Sequence, residues 1–174
     1  RAEELGKSDY GFLRELYWHW GHTYRDLLKD YDQALEYFDK RIEATEKFDG
    51  SNDYWAVYQK GVTYFVAKDA ESALKCFQEA EKVGKSDYGF LRDLYWYWGL
   101  TYRDLLKDYD NAITYFDKRI EATEKFDGSI DYGCLFQIGW TKRLSNDGAG
   151  AVADYQRAEE LGKSDYGFLR ELYW

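Results

Sequence analysis

Lys7-Ser-Asp-Tyr-Gly-Phe-Leu-Arg14 returns as Lys85-Ser-Asp-Tyr-Gly-Phe-Leu-Arg92, 78 residues on, and a third time as Lys163-Ser-Asp-Tyr-Gly-Phe-Leu-Arg170. Each occurrence opens a block. Between 7–50 and 85–128, 38 of 44 positions are identical; between 51–84 and 129–162 only 12 of 34 are. Arg1–Trp18 recurs unchanged as Arg157–Trp174. A fixed internal period means stacked units that bury their apolar faces on one another, with no single closed core. It nearly decides the fold. It leaves the ligand open, because a repeat scaffold carries specificity on a surface that folding does not dictate.

The composition agrees. Pro is absent, and the 15 Gly fall mostly at block joints or at one fixed helix position, which favours uninterrupted helices. A hydrophobic share of 45% excludes a disordered chain despite the high charge. Tyr, Phe and Trp make up 20% of the residues, enough both to fill gaps between helices and to furnish a binding surface.

The net charge of −9, with Lys and Arg alternating with Asp and Glu, provides no basic face and argues against nucleic acid. No apolar run reaches membrane-spanning length, and there is no signal peptide. The start at Arg1, without Met, reads as an excerpt or a processed piece. Cys76 and Cys134 stand at non-equivalent places with no CxxC spacing. They read as ordinary helix thiols in a reducing, cytoplasmic compartment, not as a disulfide or metal framework.

Each block reads as four helices. The first begins at Ser8-Asp9, with Ser8 as the cap, and carries Leu13, Tyr17, Trp20, Tyr24 and Leu28 on one face. Lys29-Asp30 turns the chain into a second helix with Ala34, Leu35, Phe38 and Ile42 inside and the pairs Glu36–Lys40 and Glu43–Lys47 outside. Asp49-Gly50 ends it, with Gly as the left-handed cap. Ser51 starts a third helix, Lys68-Asp69 turns, and a fourth runs to Gly84. In the second block the glycines around Asn146-Asp147-Gly148-Ala149-Gly150 predict a weak helix start. The expected fold is an all-α, right-handed α-solenoid of antiparallel helix hairpins. Its parts are the tail of a preceding repeat at 1–6, long hairpins at 7–50 and 85–128, short hairpins at 51–84 and 129–162, and the start of a following repeat at 163–174.

These hairpins resemble the tetratricopeptide repeat (TPR). Gly61-Val-Thr-Tyr64, Ala73, Phe77 and Ala80 keep its spacings, and Gly139, Ala151, Tyr155 and Ala158 keep them apart from Lys142, where the family has Tyr. The long hairpins keep Trp20-Gly21, Tyr24, Ala34 and Phe38, but their turn is one residue longer, and Arg41 and Arg119 stand where the family prefers Ala. They are similar to the longer members of the superfamily.

The resemblance implies a non-catalytic protein–protein interaction scaffold that binds a peptide or protein segment in a concave groove lined by the first helix of each hairpin. Carried over residue by residue, that groove is Trp18, His22 and Arg25; Tyr58, Val62 and Phe65; Trp96, Leu100 and Arg103; Phe136, Trp140 and Arg143. Members that clamp a terminal carboxylate do so with Lys and Asn. Here Trp18, Tyr58, Trp96 and Phe136 stand at the Lys positions, and Val62 and Leu100 at Asn positions, so a chaperone-tail ligand is disfavoured. The rings either line the groove or pack on the next hairpin. The arginines either take an acidic ligand or pair with the adjacent Asp26 and Asp104.

No cofactor and no catalytic residue is expected. His19 and His22 are three apart, but the second copy has Tyr97 and Leu100 there and no third ligand is evident. No carboxylate lies in an apolar run that would tune it for acid–base work. A second expectation is a self-assembling array, a homo-oligomer or filament formed by head-to-tail stacking of Leu5 against Leu169, Leu172, Tyr173 and Trp174, whose apolar ends no polar helix caps.

Overall fold

Every described α-helix begins one residue after an aspartate. The computed structural model describes residues 9–164, and its first unit, up to Lys85, holds α1 (Tyr10–Thr23), α2 (Tyr31–Asp49), α3 (Tyr54–Val66) and α4 (Ala70–Gly84). The second unit, from Ser86, holds α5 (Tyr88–Leu100), α6 (Tyr109–Asp127), α7 (Tyr132–Leu144) and α8 (Gly148–Gly162). Among the described residues there is no strand. The helices pair as α1/α2, α3/α4, α5/α6 and α7/α8, the antiparallel hairpins of an all-α solenoid fold.

The caps correct the sequence reading in detail. Asp9, not Ser8, caps α1: its carboxylate accepts from the Phe12 N–H at 3.0 Å. Ser8 itself lies outside the described residues. The third helix starts at Tyr54 on Asp53, which accepts from the Ala56 N–H at 3.0 Å, and not at Ser51. The glycine-rich stretch starts α8 at Gly148, where Asp147 caps it through the Gly150 N–H at 2.9 Å. Aspartate suits these sites: a carboxylate both satisfies an unpaired N–H and meets the positive end of the helix. Gly50 and Gly128 close α2 and α6 with φ of 75° and 77°, as expected. Glu36 and Lys40 pair at 2.9 Å, whereas Lys47 lies 5.7 Å over the Tyr10 ring and makes no pair with Glu43.

The extra residue of the long hairpins lies in the helix and not in the loop. In the short hairpins the N–H of Asp69 reaches back to the Tyr64 carbonyl (2.9 Å), and that of Asp147 to the Lys142 carbonyl (2.9 Å). In the long ones the same bond runs from Asp30 to Tyr24 and from Asp108 to Tyr102, both at 3.0 Å, across one more residue. Tyr24–Leu28 and Thr101–Leu106 are accordingly π-helical. A wider final turn absorbs the insertion while the acceptor carbonyl, the left-handed residue (Lys29, φ 57°; Lys107, φ 58°) and the capping aspartate keep their roles.

Within each hairpin a ring fills the space above a glycine. Phe38 and Phe116 are fully buried against Gly21 and Gly99, and a Cβ added at either glycine would stand 2.6 or 2.7 Å from a ring carbon. Ala34, Ala73, Ala80, Ala112 and Ala158 are buried to 0% exposure where the two helices close up.

The positions retained in the diverged halves have visible duties. Asp53 and Asp131 cap a helix and bind an arginine of the preceding hairpin. Gln59 and Gln137 accept from another arginine. Thr63 and Thr141 are buried, their hydroxyls donating to the Gln59 and Gln137 carbonyls at 2.8 and 2.7 Å.

Candidate functional site

The first helices of the hairpins carry the expected groove positions. In the first unit the backbone turn of α1 brings Trp18, His22 and Arg25 to one side. Trp18 is half-buried. The Arg41 guanidinium of α2 lies 4.4 Å from its ring centroid, and the ring meets His22 edge-on at 4.6 Å. Arg25 is buried: its Nε contacts Asp26 Oδ1 at 2.6 Å and its Nη1 donates to Gln59 Oε1 at 2.5 Å. It therefore ties the π-helical turn after α1 to α3 through Gln59 and pairs with the adjacent Asp26. His22 Nδ1 lies 2.8 Å from Arg25 Nη2. Burial, and then the charge of Arg25, hold the imidazole pKa below its usual value. The hydrogen bond from Arg25 holds the Asp26 carboxyl below the usual range. On α3, Tyr58 and Val62 are buried, Tyr58 against Phe77 (6.2 Å), while Phe65 stays half-buried with Lys68 over its ring at 5.8 Å.

The second unit repeats the plan with changes at several positions. Trp96 is half-buried under Arg119 (4.7 Å), and Leu100 is half-buried. Arg103 binds Asp104 at 2.7 Å and Gln137 at 2.6 Å. On α7, Phe136 packs edge-on to Trp140 at 6.0 Å, and Trp140 is 40% exposed, with the Arg143 guanidinium 5.4 Å from its centroid. Leu144 stands after Arg143 where Asp follows Arg25 and Arg103, so Arg143 lacks that neighbouring carboxylate. The structure thus keeps Trp18, His22, Phe65, Trp96, Leu100, Phe136, Trp140 and Arg143 at least partly open and withdraws Tyr58, Val62 and Arg25 into packing. Leu5, Leu169, Leu172, Tyr173 and Trp174 lie outside the described residues.

Two contributors were not legible as such. Arg41 and Arg119 mark a departure from small residues in the sequence, but their duty shows only in space. Arg41 Nε lies 2.8 Å from Asp53 Oδ2 and its Nη1 donates to the Arg14 carbonyl; Arg119 repeats both contacts with Asp131 and Arg92. Gln59 and Gln137 bridge neighbouring hairpins, and their only sequence signal is retention in the diverged halves. Among the described residues no group of three His, Cys, Asp or Glu side chains could hold a metal ion, and no helix is long and apolar enough to cross a membrane. Burial raises the Cys76 thiol to about 11 and pushes Cys134 further up, so neither is an activated nucleophile.

Residues 15–48 and 93–121, the centres of the two long hairpins, match family models of the tetratricopeptide repeat. No curated protein matches the sequence. Among solved structures the chain is similar to MamA (22% identity, TM-score 0.67, covering 94% of this chain and 80% of that one). It is also similar to MamA from residue 41 to the end, from Desulfovibrio magneticus RS-1 (20%, TM-score 0.69, 94% and 81%). A third likeness is YrrB, a TPR protein with an unusual peptide-binding site (18%, TM-score 0.62, 94% and 74%). Two stretches of the chain thus match the tetratricopeptide repeat, and the solved structures that the chain resembles share its fold of helical hairpins.

Proposed function

We propose that this protein is a non-catalytic scaffold that binds a peptide or protein segment on the first helices of the hairpins in each unit. One observation carries the reading: aromatic rings held from behind but open in front. Trp18 and Trp96 are each fixed by a guanidinium (4.4 and 4.7 Å) and remain half-open, and Trp140 is 40% exposed beside Arg143. Rigid, part-exposed tryptophans lose little entropy on binding and bury much area, which is the profile of an interface hot spot. The occupied arginines narrow the choice. Only Arg143 of the three lacks the neighbouring carboxylate, so the ligand is chiefly apolar or aromatic, with an acidic group placed near α7. YrrB, with its peptide-binding site, shares the fold and lends general support.

The test is selection of binding peptides from a display library on the intact chain, followed by affinity measurement on Trp18→Ala/Trp96→Ala. Loss of capture is expected. Selected peptides that bind the double variant with unchanged affinity would remove the first-helix face from contention.

Head-to-tail assembly is a second reading, favoured by the recurrence of Arg1–Trp18 as Arg157–Trp174. Light scattering against concentration with negative-stain microscopy decides it. Mass that stays constant over the whole range discards it.

A further inference from the structure

On the other side of the first unit, α2, α3 and α4 enclose a cavity of about 410 Å³. With about 100° per residue, Lys60 points away from Tyr58, Val62 and Phe65 on the same helix, and none of those three lines the cavity, so it is separate from the first-helix positions. Its volume falls in the range of about 300–1,000 Å³ that ligand pockets occupy. One wall is aliphatic, with Ile42, Val57 and Val83; Val83 is 43% exposed. The rest is charged. Lys60 Nζ binds Asp39 Oδ1 at 2.6 Å, and Asp53 is matched from outside the cavity by Arg41 at 2.8 Å. Glu79 at the rim is exposed and makes no ion pair. The cavity is therefore one negative charge out of balance beside an aliphatic wall.

The second unit shows that this chemistry is not forced by folding. The first hairpins supply the same groups in both units, Asp39/Asp117 and Ile42/Ile120. The short hairpins differ here: Ile138 replaces Lys60, Asp154 replaces Cys76 and Arg157 replaces Glu79. Ile138 joins the buried core with Leu135 and Cys134, and Asp154 is neutralised by Lys142 at 2.7 Å. The same backbone thus carries a rim carboxylate in one unit and a rim arginine in the other.

We infer that the cavity between α2 and α4 is a second binding site, for a peptide segment that presents a lysine or arginine beside an aliphatic side chain. The aliphatic group rests on Ile42, Val57 and Val83, and the cation pairs with Glu79 next to the Asp39–Lys60 pair. A burial-plus-charge match of this kind gives specificity for sign: an acidic segment would set a second anion against Glu79.

Cys76 lines the cavity and reports its occupancy, while buried Cys134 serves as the internal control. Alkylation by iodoacetamide at about pH 9 is followed for each cysteine by mass spectrometry, with acetyl-Leu-Lys-Leu-amide and acetyl-Leu-Glu-Leu-amide as probes. The basic peptide is expected to slow Cys76, saturably and less at high salt, with Cys134 unchanged; the acidic peptide is expected to do nothing. Glu79→Gln should raise the apparent Kd about fivefold, equivalent to about 1 kcal/mol. Glu79→Arg, the arrangement of the second unit, should abolish protection without altering the circular dichroism melt. Equal slowing by both peptides, slowing by neither, or protection that survives Glu79→Arg would overturn the assignment.

Discussion

Replacing Gly21 by Ala puts a methyl group where the Phe38 ring already stands. The new Cβ would lie 2.6 Å from Cε1, 2.8 Å from Cζ and 2.9 Å from Cδ1. Carbon atoms settle at roughly 3.5–4.0 Å, so the ring or the helix must yield by about 1 Å. The ring has little room, since Phe38 is fully buried between Trp18 (6.1 Å) and His22 (5.5 Å). Forcing a methyl into such packing costs about 1–3 kcal/mol, and the better helix propensity of Ala offsets up to about 1 kcal/mol of it. The expected net loss is about 1–2 kcal/mol, a fall in melting temperature of about 2–8 °C for a chain of this size. Gly148→Ala is the control: nothing lies within 4 Å of its added Cβ, and it starts α8, so it should be neutral to mildly stabilising. Thermal and urea unfolding by far-ultraviolet circular dichroism measure both. A Gly21→Ala chain that melts at or above the parent temperature would refute the idea that the glycine–phenylalanine contact sets the closeness of the two helices.

Other outcomes follow from the same geometry. Arg41→Ala removes the cation from Asp53, whose side chain is 6% exposed, and unstacks Trp18. Asp53 keeps Thr45 Oγ1 (2.8 Å) and the Ala56 N–H, so a loss of about 2–3 kcal/mol is expected, near the lower end for a broken buried pair, and Arg41→Ala/Asp53→Asn should recover part of it in urea unfolding. The His22 imidazole is held below its unfolded pKa by burial and by Arg25, so its neutral form is favoured in the fold. That contribution is whole above the unfolded value of 6.5 and is lost as pH falls through the lower folded value. His22→Leu, which copies Leu100, should therefore flatten the stability profile between pH 7 and 5, and an unchanged profile would contradict the assignment. The Cys76 thiol, raised by burial from 9.0 to about 11, should react slowly with iodoacetamide at neutral pH and gain about tenfold per pH unit until about 11. A rate that levels off near pH 9 would show an ordinary exposed thiol.

Much of the fold was legible because hairpin packing repeats locally. A glycine, an alanine and a ring at fixed spacing specify how two adjacent helices close, and turn chemistry specifies where they stop. The errors were small and physical. Serine and aspartate both cap helices, and here the carboxylate takes the site each time. The longer turn reads as a longer loop in sequence, yet a π-helical turn keeps the Tyr24–Asp30 bond. The site was legible only as a row of positions. Tyr58 and Trp18 look alike in sequence, and one is 4% exposed while the other is half-open.

By itself, then, the sequence determined the period, the helices and the turns between them, all properties of residues near one another along the chain. The tertiary structure alone decided which rings stay open, that Arg25 and Arg103 are occupied by Gln59 and Gln137, and that Lys60 and Glu79 border a cavity. Those outcomes depend on what the next hairpin covers, 34 residues further on in the case of Arg25, and no local pattern encodes the surface that arrives from there.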